Sequence, residues 1–208
     1  MTRSRRLRPF PALAIVGAVV LGACSSGSPS EDEDRPSPDD TGSVTQATGS
    51  PSGTTTSEGN LQRYESDEHG FSLGYPDGWT LQDLQDSPAD VALAADESAA
   101  DGFAENVNVL VQQVPEGLTL DQYTQTSKQG LETLQGFELG SEGSTNLGGE
   151  SATWLEYEAV QQGVLLQFWQ VWTVRGPKAY VVTYTGRGEG FDRFRMDVES
   201  IVRSFDFS

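Results

Sequence analysis

The sequence predicts an α+β domain in which helices cover an antiparallel β-sheet, and two observations lead to this class. Three long apolar segments, 153–160, 164–175 and 179–185, follow one another with short turns between them, as strands in antiparallel hairpins do. Two amphipathic segments, within 119–134 and 191–205, repeat apolar residues at helical spacing. Because the strand 164–175 is apolar on both sides, each face of the sheet needs a cover. An α/β/α sandwich follows.

The strands before the first helix are predicted from alternation and turn residues. The segment 71–75 alternates as a half-buried strand does, and Tyr75-Pro76-Asp77-Gly78 predicts a type I turn. A return strand should therefore start at Trp79. Two further strands are predicted at 91–95 and 107–114, the latter with alternating valines on one face.

Caps and stop signals mark the helices. The first helix should begin at Thr119, whose spacing to Gln122 is that of a capping box, and should stop at Gly136. A glycine-rich meander is expected between this helix and the strand 153–160. The second helix is predicted over 191–205 and supplies the cover of the other face.

The first 60 residues are predicted to be an export signal and a tether. Four arginines precede a short apolar stretch that ends in Leu21-Gly22-Ala23-Cys24, a pattern that resembles the bacterial lipobox. A signal peptide over 1–23 and lipidation of Cys24 are expected, and an ordinary secreted protein is the alternative. General secretion fits better than twin-arginine export, because Arg8 and Pro9 stand where that motif has apolar residues.

The segment 24–60 is rich in Ser, Thr, Gly, Pro and acidic residues, so it is predicted to be a disordered acidic tether. The chain should sit at the extracytoplasmic face of the cell membrane, anchored by lipid. Residues 61–208 should form the single folded domain.

The amino-acid composition excludes several kinds of binding site. With 13 Lys and Arg against 31 Asp and Glu, the net charge is −18, which excludes recognition of nucleic acid through its phosphates. One His and one Cys exclude a zinc site built from several such ligands and an internal disulfide. The sequence predicts no metal and no cofactor.

Two features of the domain are candidate chemical sites. His69 is the residue suited to general-base work near neutral pH, with Asp67 and Glu68 beside it, but a structural role is favoured because no nucleophile motif accompanies it. Gly186-Arg187-Gly188-Glu189-Gly190 lies between a strand and a helix, where anions bind. Glu189 opposes an anion, so a flexible connection is favoured and no catalytic residue is predicted.

The large aromatic residues of the three long strands are candidates for a binding groove. Core packing explains most of them, and part of the set is predicted to line a groove for an apolar ligand or a partner segment. The residues assigned to this groove are Trp154, Trp169, Trp172 and Tyr184.

The stretch Gly70-Phe71-Ser72-Leu73-Gly74-Tyr75-Pro76-Asp77-Gly78-Trp79 resembles the opening of PsbP-like domains. The segments 178–185 and 201–205 are similar to the last long strand and the closing helix of that family, so the resemblance spans about 64–208. It implies an antiparallel sheet between helices, no catalytic residues, and roles as protein-binding or assembly subunits. No site residue carries over.

Three functions follow as alternatives. The favoured one is a membrane-tethered, non-catalytic interaction or accessory module that binds an envelope protein. The others are a carrier of a lipid or small apolar molecule and, last, a hydrolase that uses His69. A deep dry cavity of at least about 300 Å³ would favour the carrier.

Overall fold

The structure, a computed structural model, describes residues 61–84, 87–96 and 103–208. The predicted signal peptide, Cys24 and the tether lie outside the described residues. In chain order the elements are β1 (Gln62–Ser66), β2 (Phe71–Tyr75), β3 (Trp79–Leu81), β4 (Val91–Ala95), β5 (Asn106–Gln113), α1 (Leu120–Leu131), β6 (Glu138–Leu147), β7 (Glu150–Gln161), β8 (Val164–Arg175), β9 (Lys178–Gly186), α2 (Glu189–Arg193), α3 (Arg195–Arg203) and β10 (Asp206–Phe207).

The strands of the described residues form two antiparallel sheets. Seven strands make the large sheet, in the order β3-β4-β5-β9-β8-β7-β6, and three make a small sheet, in the order β1-β2-β10. The predicted hairpins of β7, β8 and β9 are confirmed, with Tyr157 opposite Phe168 and Val171 opposite Val182. These long strands form the middle of the fold because both of their faces bury apolar side chains.

Each face of the large sheet carries its own apolar core. Alternate residues of β8 divide between them: Trp169 and Val171 face one way, and Phe168 and Trp172 face the other. The first face packs under α2, α3 and the small sheet, where Phe71 and Phe205 stack at 5.1 Å. The second face packs under α1. The α+β class is confirmed, although one cover is a sheet and helices together.

The first helix shows the capping box that the sequence predicts. The Thr119 hydroxyl accepts from the Gln122 backbone N–H at 3.2 Å, and the Gln122 side chain accepts from the Thr119 N–H at 3.0 Å. The helix ends at Leu131, before Gly136. Leu134 lies in a turn in which its N–H bonds to the Leu131 carbonyl.

Two predictions are wrong: the hairpin after Tyr75 and the continuous second helix. The turn 75–78 does not join a hairpin, because β2 pairs with β1 and β10 whereas β3 pairs with β4. All five residues of β2 are buried, and Trp79 is drawn to the large sheet, where its indole N–H donates to Asp197 on α3 at 3.0 Å. The helix predicted over 191–205 is broken at Phe194, which has a ψ of 5° and whose ring packs edge-on against Trp79 at 5.8 Å.

Candidate interaction site

The structure does not bring the four predicted groove residues together. Trp154, Trp169 and Tyr184 lie on the face covered by α2 and α3, and Trp172 lies on the face covered by α1. Trp172 and Tyr184 are fully buried. The aromatic set therefore belongs to two cores, and Trp154 is the member that keeps partial exposure.

The polar groups of Trp172 and Tyr184 form hydrogen bonds that hold the covering helices on the sheet. The Trp172 indole N–H donates to the Thr124 hydroxyl on α1 at 2.9 Å, which anchors that helix. The Tyr184 hydroxyl donates to the carbonyls of Gly190 and Phe191, and its ring stacks on Phe191 at 4.8 Å. Burial raises the pKa of Tyr184, so its hydroxyl stays a donor.

The glycine-rich connection before α2 follows from the same packing. A Cβ on Gly186 would lie 3.0 Å from the Phe191 Cα, so β9 and α2 approach through a glycine. Gly188 has a φ of 53°, which a glycine adopts without strain. The connection turns the chain back onto the sheet.

Arg195 on α3 packs against the face of the large sheet that α2 and α3 cover. Its guanidinium lies 4.3 Å above the centre of the Trp169 ring and bonds to a Glu156 carboxylate oxygen at 2.8 Å. Stacking and ion pairing together hold α3 against β7 and β8. Glu156 is thus partly neutralised by a residue of its own chain.

His69 pairs with a residue that the sequence analysis did not single out. Its Nε2 bonds to one carboxylate oxygen of Asp90, and the other oxygen accepts from the Val111 N–H at 2.8 Å. Burial raises the pKa of Asp90, and the Val111 N–H and His69 oppose that rise. The hydroxyl of Tyr180 donates to the His69 carbonyl at 2.9 Å.

This cluster ties the small sheet to the large one. His69 follows β1, whereas Asp90, Val111 and Tyr180 belong to the large sheet or its loops. His69 Nδ1, the nitrogen that a general base would need, is buried and has no hydrogen-bond partner among the described residues. The neighbouring Asp67 and Glu68, which the sequence suggested, are exposed. The geometry is that of a structural link.

The cavity beneath α1 has the size of a water molecule. Its volume is about 20 Å³, where one water needs roughly 10–15 Å³. Polar side chains line much of it, including Asn108, Ser127, Gln170 and Thr183. Such a space suits a bound water and is far too small for a lipid.

The strand β6 forms one edge of the large sheet. Among the described residues it pairs with β7 alone, and nine of its ten residues are exposed or half-buried. Trp154 lies across this edge, because a Cβ on Gly143 would come within 2.8 Å of its indole. A bulge shifts the register between Leu139 and Ser141, beyond which the pairing is regular to Leu147.

An acidic surface pocket adjoins the bulge. It measures about 230 Å³ and is lined by Glu138, Gly140, Glu156, Tyr157, Glu158, Gln167 and Phe191. Glu138 and Glu158 stand directly opposite each other on β6 and β7. Like charges in that relation destabilise a sheet. Glu138 makes no hydrogen bond or ion pair within the described ranges, whereas Glu158 accepts from the Gln167 amide at 3.3 Å.

Sequence reasoning missed both the β6 edge and the acidic pocket. The segment from Glu138 to Leu147 has only two large apolar residues, Leu139 and Leu147, so alternation does not identify it as a strand. The remaining signal was the Gly148-Gly149 turn, which joins it to β7. Both glycines have positive φ, as hairpin turns require.

The chain matches the model of a known family. The family model described as PsbP-like protein matches residues 40–207. The chain belongs to the PsbP-like family. Its members are generally non-catalytic accessory or regulatory proteins. The search among curated proteins found no match.

Two solved structures show the same fold. One is cyanobacterial PsbP (CyanoP) from Synechocystis sp. PCC 6803, with 18% identity and a TM-score of 0.53, covering 76% of this chain and 98% of that one. The other is LpqN of Mycobacterium tuberculosis, which is involved in cell envelope biogenesis, with 16% identity and a TM-score of 0.56, covering 71% of this chain and 91% of that one.

Two features are absent from the described residues: a membrane-spanning helix and a cluster of metal ligands. None of their helices is long and apolar enough to cross a bilayer. In the same ranges, no three His, Cys, Asp or Glu side chains are grouped to hold a metal ion.

Proposed function

We propose that this chain is a lipid-anchored, non-catalytic interaction module that binds a protein of the cell envelope. One observation carries the interaction role: both faces of the large sheet are closed by packed side chains, whereas nine of the ten residues of its β6 edge are exposed or half-buried. An unpaired strand edge offers backbone donors and acceptors to another chain. The PsbP-like family, with its accessory members, supports the same role.

The carrier alternative has little support from the described cavities. The space under α1, at about 20 Å³, has room for one water, and the larger pocket is lined by three carboxylates. Sites for small apolar ligands usually measure about 300–1,000 Å³ and are mostly apolar. The hydrolase alternative has the His69–Asp90 pair in its favour, but the second ring nitrogen is closed off from substrate.

Anchoring in the membrane is proposed from the sequence. The arginines, the short apolar stretch and Cys24 support export and lipidation. Two or more acyl chains, at about 0.8 kcal/mol for each buried CH₂, make release from the bilayer slow. The involvement of the structural neighbour LpqN in cell envelope biogenesis supports the same cellular setting.

In-cell photo-crosslinking tests the interaction role. A photoreactive amino acid is placed in turn at exposed positions on different surfaces: Thr145 on β6, Leu81 on β3, Gln129 on α1 and Met196 on α3. We expect a discrete adduct with an envelope protein from at least one position, identified by mass spectrometry. Adducts at none of the four would refute the role.

Labelling with a palmitate analogue tests the anchor. The wild-type chain should incorporate the label, and Cys24→Ala should lose both the label and its place in the membrane fraction. The matched control is Ser25→Ala, which removes a neighbouring hydroxyl and leaves the thiol. A Cys24→Ala chain that stays labelled would refute the anchor and leave the crosslinking result untouched.

A further inference from the structure

The two edges of the large sheet are very different. At one edge, β3 has three residues, a length that blunts pairing with other chains. At the other edge, β6 has ten residues and contains neither lysine nor proline, the residues that commonly protect an edge. Beyond the bulge, seven residues from Ser141 to Leu147 are in regular register with β7. This run is long enough to receive another strand.

The free side of β6 has a regular set of backbone groups. In an antiparallel pair, alternate residues direct their N–H and C=O groups away from the partner strand. The regular run of β6 therefore presents to an incoming chain about three or four residues whose backbone groups have no strand partner within the described part of the chain. Leu139 adds an exposed apolar side chain, and Trp154 adds an aromatic one over Gly143.

The acidic side chains beside the β6 edge indicate which kind of segment binds there. Glu138 and Glu158 face each other across β6 and β7 without a cation between them in the described residues. A buried oxygen of the Gln167 amide in the same pocket has no hydrogen-bond partner there. Both carboxylates and this oxygen are acceptors, so the pocket is matched to a donor with positive charge.

A second copy of this chain fits poorly. The chain carries a net charge of −18, so two copies repel. Pairing β6 with β6 would bring Glu138 and Glu142 of each copy to one seam, and Glu142 already uses Lys128 as its partner. A positively charged partner would attract these carboxylates, whereas a second copy would repel them.

We propose that β6 receives an extended, basic segment of the partner as an additional strand, with a lysine or arginine of that segment entering the pocket between Glu138 and Glu158. Backbone hydrogen bonds along Ser141–Leu147 give affinity, and the pocket selects the cationic side chain. The inference rests on the proposed interaction role and names its surface and its partner chemistry.

The test measures binding of defined peptides to the full chain. The probe is a fluorescein-labelled ten-residue peptide in which valine and threonine alternate with lysine, read by fluorescence anisotropy. A second peptide carries glutamate for each lysine, and a third carries two adjacent N-methylated amides at its centre, which block both of its edges. We expect a Kd below about 1 mM for the lysine peptide, and binding at least tenfold weaker for the other two.

Two sets of variants localise the binding. Glu138→Gln with Glu158→Gln should weaken the lysine peptide about tenfold, because both carboxylates of the pocket are lost. The matched control, Glu65→Gln with Glu116→Gln, removes the same charge from β1 and from the loop after β5, and should change the Kd less than twofold.

Proline tests the backbone pairing. Ser144 and Thr145 are neighbours in the regular run, so one of them directs its N–H to β7 and the other directs it outward. One of the variants Ser144→Pro and Thr145→Pro removes the N–H that points outward, and it is recognised because its urea midpoint of unfolding stays that of the wild type. That variant should bind the lysine peptide at least tenfold more weakly. Hydrogen exchange of the wild-type chain with bound peptide needs no variant and should show protection in Glu138–Leu147 but not in Trp79–Leu81.

Each of the following outcomes would contradict the inference. The glutamate peptide binding as well as the lysine peptide would refute the charge selection, and protection outside β6 would refute the surface. No binding up to about 1 mM would refute both. A dimer with β6 protected in the absence of peptide would assign the edge to a second copy. Crosslinks from α1, α3 or β3 alone would leave the interaction role standing without this edge.

Discussion

Replacing His69 with alanine should weaken the link between the two sheets. Asp90 holds one carboxylate oxygen against the His69 Nε2 and the other against the Val111 N–H at 2.8 Å. The side chains of His69 and Asp90 are 19% and 13% exposed, so water cannot fully replace the lost partner. The variant leaves a largely buried carboxylate with one donor.

The expected cost follows from these contacts. A hydrogen bond to a charged group contributes about 1.5–3 kcal/mol, and breaking a fully buried ion pair costs about 3–5 kcal/mol. Because Asp90 keeps the Val111 N–H and some contact with water, the free energy of unfolding should fall by about 2 kcal/mol at pH 7. For a domain of this size, that lowers Tm by roughly 4–8 °C.

The cost should depend on pH with a definite sign. Burial raises the pKa of Asp90, so the folded state takes up a proton more readily than the unfolded state does. The burial of this carboxylate therefore opposes folding above its folded-state pKa, and that opposition is lifted as the pH falls through it. Since a neutral carboxyl is less costly to leave without its partner, the cost of His69→Ala should shrink as the pH falls through the folded-state pKa of Asp90.

Urea unfolding of a double-mutant cycle is the assay. Asp90→Asn keeps an acceptor for the Val111 N–H and removes the charge, so His69→Ala should cost less than about 1 kcal/mol in that background. The reasoning would be refuted by a His69→Ala variant within about 0.5 kcal/mol of wild type at pH 7, or by an equal cost in both backgrounds. A folded His69→Ala chain that loses all function would move the hydrolase alternative to the front.

Three further predictions concern the cores. Burial raises the pKa of Tyr123 from 10.0 to about 12, so the contribution of the neutral phenol to stability is lost as the pH rises through that range. Tyr123→Phe should therefore move the midpoint of alkaline unfolding, followed by circular dichroism, to higher pH. Gly143→Ala would place its Cβ 2.8 Å from the Trp154 indole, so we expect a loss of about 1–3 kcal/mol in urea and a change in tryptophan fluorescence; an unchanged spectrum would contradict the contact. Leu155→Ala should cost about 2–5 kcal/mol in urea because the side chain is fully buried, whereas the exposed Leu165→Ala should cost under about 0.5 kcal/mol; equal costs would contradict the assigned core.

Local sequence patterns predict much of the fold. The capping box at Thr119, the strand Val164–Arg175 and its two apolar faces are set by short-range spacing, which a sequence displays directly. Short-range spacing also explains what went wrong after Tyr75. A turn motif states that the chain reverses, but it does not state which strand each arm will join. That choice depended on the burial of β2 and on the bond from Trp79 to Asp197.

The candidate site depended on tertiary structure for a different reason. Sequence identified the aromatic residues and predicted an export signal, because hydrophobicity and composition are properties of single segments. It did not show that Trp172 faces away from Trp154, or that His69 meets Asp90, because those relations join segments far apart in the chain. The pair Glu138 and Glu158 faces across β6 and β7 only once their register is fixed. Sequence alone determined the class of domain and its acidic character, whereas the packing of the sheets determined which edge stays open, because exposure is a property of the assembled strands.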